Sequence, residues 1–369
     1  MMKEWFFGRG GRGRGGDQKG TIRSFFWDFL VLFLLLTINF FDSLGWTERL
    51  VFPPYFKHII FLGLIYSTLT LSLNIIAGFI GQISLGHSAF YGFGAMTSAV
   101  LTLYYHIPYW AAFLMAGLFT GLVGIPLGLP ALRIRGHFLV VVTYGFAEVL
   151  RIITLNSEFT GGPAGLPGLQ PPSLLGKAFN DYGPTGKEAY IIAALLLLLS
   201  LVFLVHRVNK SRVGLAWGAI RDDELAASAM GINVAYYKLL AFTLAAIFAG
   251  LAGSLYAHYS AFFSSEIMSS NESILILTMV VVGGVRSIPG SILGAFLLVL
   301  APEGLHYLKD WLGLTFDPWQ VLYGLLLIIM MRFRPQGIMG KDASWWIWRR
   351  DSRQAKLSLR KGKKGVLPT

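Results

Sequence analysis

Residues Ala189–Val205 read AYIIAALLLLLSLVFLV, an apolar run with no charge and no strand-like alternation. In hydrocarbon every backbone N–H and C=O must find its partner inside the protein, so only helices and closed barrels span a bilayer. A barrel strand alternates lipid-facing and lumen-facing residues; this run does not, so it reads as a helix. About twenty apolar residues in a helix cross the roughly 30 Å hydrocarbon layer. Comparable stretches recur near 25–41, 56–78, 83–103, 109–130, 137–155, 188–206, 236–261, 271–283, 288–303 and 318–333. The expected fold is therefore an all-α polytopic membrane protein with about ten transmembrane helices. Composition agrees: 54% of the 369 residues are hydrophobic and 14% charged, too little charge to cover a soluble domain of this size.

A net charge of +12, beside a segment Gly8–Gly16 that reads GRGGRGRGG, raises the question of nucleic acid. The distribution answers it. Most of the 31 basic residues fall on one side of the expected bilayer. They lie in the N-terminal segment (Lys3 to Arg23), at Arg133 and Arg135, between Arg207 and Lys238, at Arg286, and from Arg332 to Lys364. The other side receives Arg49, Lys57, Lys177, Lys187 and Lys309, and Arg151 sits near a helix end. The positive-inside rule makes the basic side cytoplasmic, with both termini there. The charge is then topology, the partner of the tails is the lipid bilayer, and no nucleic acid is expected. The run Phe25–Phe41 follows a basic segment but leads into Asp42-Ser43-Leu44-Gly45-Trp46 without a small-x-small cleavage site, so it reads as an uncleaved first span.

The organisation follows: a basic cytoplasmic tail at 1–24, a transmembrane domain at 25–340, and a second basic tail at 341–369. Within the domain, the outer loop 156–187 is rich in Gly and Pro, including Gly161, Gly162 and Pro163, and cannot be regular helix. It either folds over the mouth of a pore or serves as a solvated connector. Two spans are interrupted. Gly81, Gln82, Ser84, Gly86 and His87 crowd into one membrane-depth stretch; Gly283 and Gly284 open another that continues to Gly290-Ser291. Paired breaks of this kind point to a solute path between inverted repeats. Gln82 and Ser84 can face water or hydrogen-bond a neighbouring helix, and His87 can touch substrate or a backbone carbonyl.

No enzyme constellation is present: no Walker A loop, no HExxH and no GxSxG, with histidines lacking metal-ligand spacing. The absence of cysteine rules out disulfides and thiolate metal sites. No catalytic residue, metal or cofactor is expected. The cytoplasmic loop 207–235 is the informative segment. It holds a short helix, about Leu215 to Met230, closed by Gly231 as the residue that turns left-handed at a helix end. Leu215, Ala219, Leu225, Ala226 and Met230 gather near one face. Such an element either docks on a motor subunit or lies on lipid headgroups.

The stretch Arg221-Asp222-Asp223-Glu224-Leu225-Ala226-Ala227 with Gly231 resembles the E-A-A-x3-G loop of ABC importer permeases. More of the chain is similar to the LivM-type permeases of branched-chain amino-acid importers. The residues that carry this are Gly81-Gln82-Ile83-Ser84-Leu85-Gly86-His87-Ser88-Ala89-Phe90, Leu132-Arg133-Ile134-Arg135-Gly136, Thr160-Gly161-Gly162-Pro163, Met230-Gly231-Ile232-Asn233, Val282-Gly283-Gly284 and Arg334-Pro335-Gln336-Gly337. They fall in order within residues 60–340. Two departures stand out. Leu225 occupies an alanine position, which leaves Asp223 and Glu224 as alternatives for the motif's acid, and Arg286 stands where a small or apolar residue is the pattern.

The resemblance implies a pore subunit that pairs with a second, LivH-like permease, two ATP-binding subunits and an extracytoplasmic amino-acid-binding protein in a prokaryotic plasma membrane. It implies that Arg221, Asp222, Asp223, Glu224, Ala226, Ala227 and Gly231 couple to the ATPase. Gly161, Gly162 and Pro163 then belong to a docking loop for the binding protein. The solute would be leucine, isoleucine or valine, with urea, short amides or other amino acids as alternatives. A gradient-driven carrier or channel for a small polar solute is the competing class, and Glu148 is the coupling acid available to it. Glu148 and Arg151, three apart on one helix, are also placed to form a structural ion pair.

Overall fold

The computed structural model describes residues 54–133, 138–174, 177–181 and 186–312, with short pieces at 324–325, 328–330, 332 and 337–339. The tails 1–24 and 341–369 and the span expected at 25–41 lie outside the described residues, and of 318–333 only short pieces are described. The helices are α1 (Pro54–Asn74), α2 (His87–Leu103), α3 (Tyr109–Arg133), α4 (Phe138–Asn156), α5 (Glu188–Asn209), α6 (Arg212–Asp222), α7 (Glu224–Ala229), α8 (Val234–Ser260), α9 (Ser270–Gly283) and α10 (Ile288–Leu312). Among the described residues, five helical stretches are long and apolar enough to cross a membrane, and α9 and the first part of α10 are shorter apolar helices.

Within the described residues the apolar runs form helices near where they were expected, with two differences at the first break. The first described span does not stop at 78: α1 passes into a π turn, Ile75–Ile80, that closes on Gly81 in the left-handed conformation (φ +81°). The following helix begins at His87 rather than 83, because residues 81–86 form no regular element. A single helix over 215–230 is also corrected. Asp223 is extended (φ −155°, ψ 113°), and its carboxylate accepts from the N–H groups of Leu225 and Ala226 at 2.9 and 3.1 Å. It is the N-cap of a second helix, so the loop is two short helices, α6 and α7, set apart by one residue.

Two triplets share one order: long helix, break, helix, helix. They are α1–α2–α3 and α8–α9–α10. Their packing is exchanged: α8 lies chiefly on α2 and α3, while α1 lies chiefly on α10, with α9 and α5 beside it. The start of α1 meets the end of α8, where His58 Nδ1 hydrogen-bonds the Tyr259 hydroxyl at 2.8 Å. The two long helices are thus antiparallel, the arrangement that inverted repeats would have. Helix α1 is central, with 83% of its most apolar stretch buried, whereas α4 is peripheral at 22%. Small residues permit the closest approaches. A side chain at Gly94 would run into the backbone of Gly250, and one at Gly253 into the carbonyl of Tyr91, as membrane helix contacts favour.

The loop between α4 and α5 is a packed cap. Short turns at Glu158–Thr160 and Gly162–Ala164 lead into β1 (Leu166–Pro167). Strands β2 (Ser173–Leu174) and β3 (Lys177–Ala178) pair with each other, and β1 pairs antiparallel with β4 (Phe262–Phe263) just past α8. Trp110 Nε1 donates to the Ser173 carbonyl at 2.8 Å, and His258 Nδ1 meets the Gln170 carbonyl at 2.8 Å. Leu166, Leu169 and Phe179 are buried beneath it.

Candidate functional site

The two interruptions come together, joined by Asn74 at the end of α1. Its side-chain oxygen accepts from the Arg286 N–H at 2.9 Å, and its amide donates to Ser291 Oγ at 2.7 Å. Arg286 is left-handed (φ +69°), which explains in part why an unusual residue there is tolerated: its backbone conformation is held from outside. The stretch Gly337–Met339 adds a further clamp, with the Ile338 and Met339 N–H groups donating to Val282 and Gly283 carbonyls at 2.8 and 3.0 Å.

Residues 81–86 then cross between α1, α3 and α4. The Leu85 N–H donates to Thr143 Oγ1 at 3.0 Å, and a β-carbon at Gly86 would press on the Thr143 carbonyl and Leu127. Ser84 is buried and its Oγ accepts from the Gly86 N–H at 3.2 Å. Gln82 donates its backbone N–H to the Ile76 carbonyl at 3.0 Å, and its side-chain oxygen is buried without a partner among the described residues. His87 is fully buried, with Nε2 2.7 Å from Ser72 Oγ and the Leu69 carbonyl of α1 also beside its ring, and Nδ1 is unpartnered among the described residues. Gly283 lies against Gly290 and Gly294 of α10, where a side chain would meet backbone. Gly284 lies equally close to Gly337.

Helix α2 starts part-way along α1, and α9 starts beside it. Ser273 Oγ donates to Ser88 Oγ at 2.7 Å and accepts from the Ser88 N–H at 3.1 Å. Ser88 Oγ in turn donates to the Met268 carbonyl at 3.0 Å. Two helix N-termini therefore meet inside the domain. Next to them lies a residue that pattern reasoning missed. Glu272, in the first turn of α9, accepts from the Tyr66 hydroxyl at 2.9 Å. Glu148, by contrast, is held by Arg151 through both Nε and a terminal nitrogen, at 3.0 and 2.5 Å. The sequence left Glu148 open between the coupling acid of a carrier and a structural pair with Arg151, and the structure shows the pair.

At the other end of the domain, α6 packs against the π turn and α8, and α7 against α8. Trp217 is buried and donates Nε1–H to the Tyr237 carbonyl at 2.9 Å. Lys238, only 1% exposed at its side chain, pairs with Glu224 at 2.9 Å. Of the two acids of the motif, Asp223 is therefore spent on the helix cap and Glu224 on a strut to α8. Arg221 pairs with Asp222 on the surface at 2.8 Å. Ala227 is buried and Ala226 exposed. Gly231 is left-handed (φ +82°), as expected, and faces open space. Three large apolar side chains point outward here: Leu215 (74% exposed), Leu225 (63%) and Met230 (83%).

At the capped end, Gly161 and Gly162 are left-handed (φ +75° and +54°) and Pro163 is exposed at the turn. Thr160 Oγ1 donates to the Thr154 carbonyl and fastens this turn to α4.

Comparison with known proteins completes the picture. A family model described as the permease component of branched-chain amino acid transport systems matches residues 55–331. The chain is 38% identical over 298 residues to the high-affinity branched-chain amino acid transport system permease protein LivM of Escherichia coli K12, covering 75% of this chain and 68% of that one. The chain is a LivM-type member of this permease family. It matches the Salmonella typhimurium LivM equally, at 38% over 296 residues. The E. coli LivH is 24% identical over 310 residues, covering 76% of this chain and 92% of LivH. No solved structure matches it. As a permease of the family it is a membrane transport component, and the motifs quoted from its sequence fall on the breaks and the two-helix loop just described.

Proposed function

We propose that this permease is the membrane-spanning subunit of an ATP-driven importer and translocates branched-chain amino acids delivered by a binding protein. The observation that carries the proposal is the α6–α7 loop. It exposes Leu215, Leu225 and Met230 to a partner while its inner face rests on both the π turn beside the first break and the start of α8. An element anchored to α8 by Trp217 and Lys238 moves α8 when it is moved. Helix α8 carries α2 and α3 with it through their packing. A switch of this kind needs two global arrangements with different contacts, and exchanged inverted repeats provide surfaces that can rock.

In this scheme the loop docks on one of two ATP-binding subunits, and the outer turn at Gly161, Gly162 and Pro163 receives the binding protein. A LivH-like second permease completes the pore. Residues Gly81, Gln82, Ser84, Gly86 and His87 border the solute path, and Gly283–Gly284 form the close-packed pivot of the opposing repeat. Both termini lie in the cytoplasm, in keeping with the basic bias of the chain's ends. The relatives' names supply the solute class.

The test is purification of the tagged chain from its native membrane, together with uptake of labelled leucine by the same cells. The expected result is recovery of an ATP-binding subunit and a second permease, and leucine uptake that ceases when the gene is deleted. Recovery of the chain alone, with uptake dissipated by a protonophore at constant ATP, would leave the carrier reading standing instead.

A further inference from the structure

The α1–α8–α9 seam holds a carboxylate that the helix itself does not use. The sequence Ser269-Ser270-Asn271-Glu272 has the form of a capping box, in which the glutamate would turn back to the N-cap N–H. It does not. Ser269 makes no side-chain cap, its N–H goes to the Glu266 carbonyl at 2.9 Å, and Glu272 reaches across to Tyr66 of α1. Tyr66 lies near the middle of the span Tyr55–Ile80, which puts the carboxylate at membrane depth. Its second oxygen accepts no hydrogen bond and meets no cation among the described residues. Three other glutamates among the described residues differ: Glu148 has Arg151, Glu188 has Lys57 at 2.5 Å, and Glu224 has Lys238. An uncompensated carboxylate at this depth is costly, and such residues mark solute pathways.

Its surroundings describe the missing partner. Tyr91 and Tyr256, whose rings lie 5.7 Å apart between α2 and α8, stand in the same neighbourhood. One anion among tyrosine rings and hydroxyls suits an organic ammonium, which gains from both a charge-assisted hydrogen bond and the ring faces. It does not suit a hard metal ion, which takes six or more oxygens, and no cluster of three or more acidic, His or Cys residues occurs among the described residues. The same seam opens toward the cap. A cavity of about 530 Å³ is lined by His58, Asn180, Gly186, Lys187, Tyr190 and Tyr259, a size ordinary for small-molecule sites. Tyr259, which lines it, stands about one helical turn beyond Tyr256 on α8.

The geometry points to Glu272, with Tyr66 and Tyr256, as the subsite that receives the α-ammonium group of the transported amino acid. This rests on the import reading above and adds to it the group that recognises the solute inside the membrane. Glu272→Gln keeps the shape and the acceptor for Tyr66 and removes only the charge.

In cells that make the complete transport system, E272Q should lower leucine uptake about 10- to 100-fold, the range of a lost hydrogen bond to a charge. Glu272→Asp should retain part of the uptake, and co-purification of the partners should be unchanged. With the full chain purified in detergent, leucine should raise the melting temperature, whereas 4-methylpentanoate, the same skeleton without the ammonium, should not. Leucine should lose this effect on E272Q. Unchanged uptake by E272Q, or equal stabilisation by 4-methylpentanoate, would overturn the subsite. So would an E272Q variant that binds leucine normally but has lost a dependence on the proton gradient. If E272Q fails to accumulate, Tyr66→Phe, which leaves the charge and removes its anchor, should lower uptake two- to fivefold by weakening one hydrogen bond to a charged group, roughly; unchanged uptake there defeats the proposal equally. A wild-type chain that moves no branched-chain amino acid defeats the import reading itself.

Discussion

At Gly253 the carbonyl of Tyr91 occupies the space a β-carbon would need, whereas at Gly218, within α6, nothing lies within 4 Å of one. Identical substitutions should therefore have opposite outcomes. Gly253→Ala must push α8 off α2, and overpacking of this kind costs about 1–3 kcal/mol. Gly218→Ala removes backbone freedom from an exposed helix and should stabilise it by up to about 1 kcal/mol. Thermal unfolding of the two purified variants checks both; equal melting temperatures would contradict the close approach. The same scale shows where pattern reading stops. Glycines at the breaks were legible, because clustered glycines in an apolar stretch have few other uses. Glu272 was not: at the head of an apolar run it looks like any first-turn acid, and its partner Tyr66 is distant in the chain.

Among the elements, α6 and α7 carry the sharpest expectation. Glu224→Gln leaves Lys238 buried without its counter-ion, and breaking a buried pair this way costs about 3–5 kcal/mol when the remaining charge cannot reach water. Glu224 is itself partly exposed, so the lower end of that range applies. The helix α7 should then detach from α8 while the exposed face of Leu215, Leu225 and Met230 remains able to dock. ATP hydrolysis by the assembled transporter should continue as leucine uptake falls, measured side by side in proteoliposomes. Gly231→Val, forced into a left-handed conformation that costs about 1–2 kcal/mol, should weaken the same coupling. Loss of assembly instead would mean that the pair shapes the docking face itself. The existence of this loop was legible from its polarity and from Gly231. The break at Asp223 was not, because an aspartate reads alike as a helix surface residue and as a cap until its side chain is seen on the Leu225 and Ala226 N–H groups.

For the molecule as a whole, the inverted arrangement predicts that α1 and α8 move relative to each other during transport. His58 and Tyr259 mark their meeting point, and the chain contains no cysteine. A His58→Cys, Tyr259→Cys double variant joined by a short bifunctional thiol reagent should lose uptake and regain it when a cleavable linker is reduced. Undiminished uptake in the cross-linked protein would show that this seam stays closed throughout the cycle. The order of spans was readable from hydropathy, since each run is set by the bilayer's own thickness. Their exchange between triplets was not, because lipid-facing and helix-facing apolar residues have the same composition.

That exchange also sets the order of events at the ribosome. Helix α1 leaves the translocation machinery before α2 and α3, yet much of the surface that covers it belongs to α9 and α10, which are made later. Until then the Thr70 hydroxyl and the Asn74 amide, whose partners Met279, Arg286 and Ser291 come late, have none of these contacts. Contacts so distant along the chain form late and slowly, and intermediates that expose such surface are prone to misassemble. A nascent chain halted before α9 would therefore leave this face of α1 uncovered.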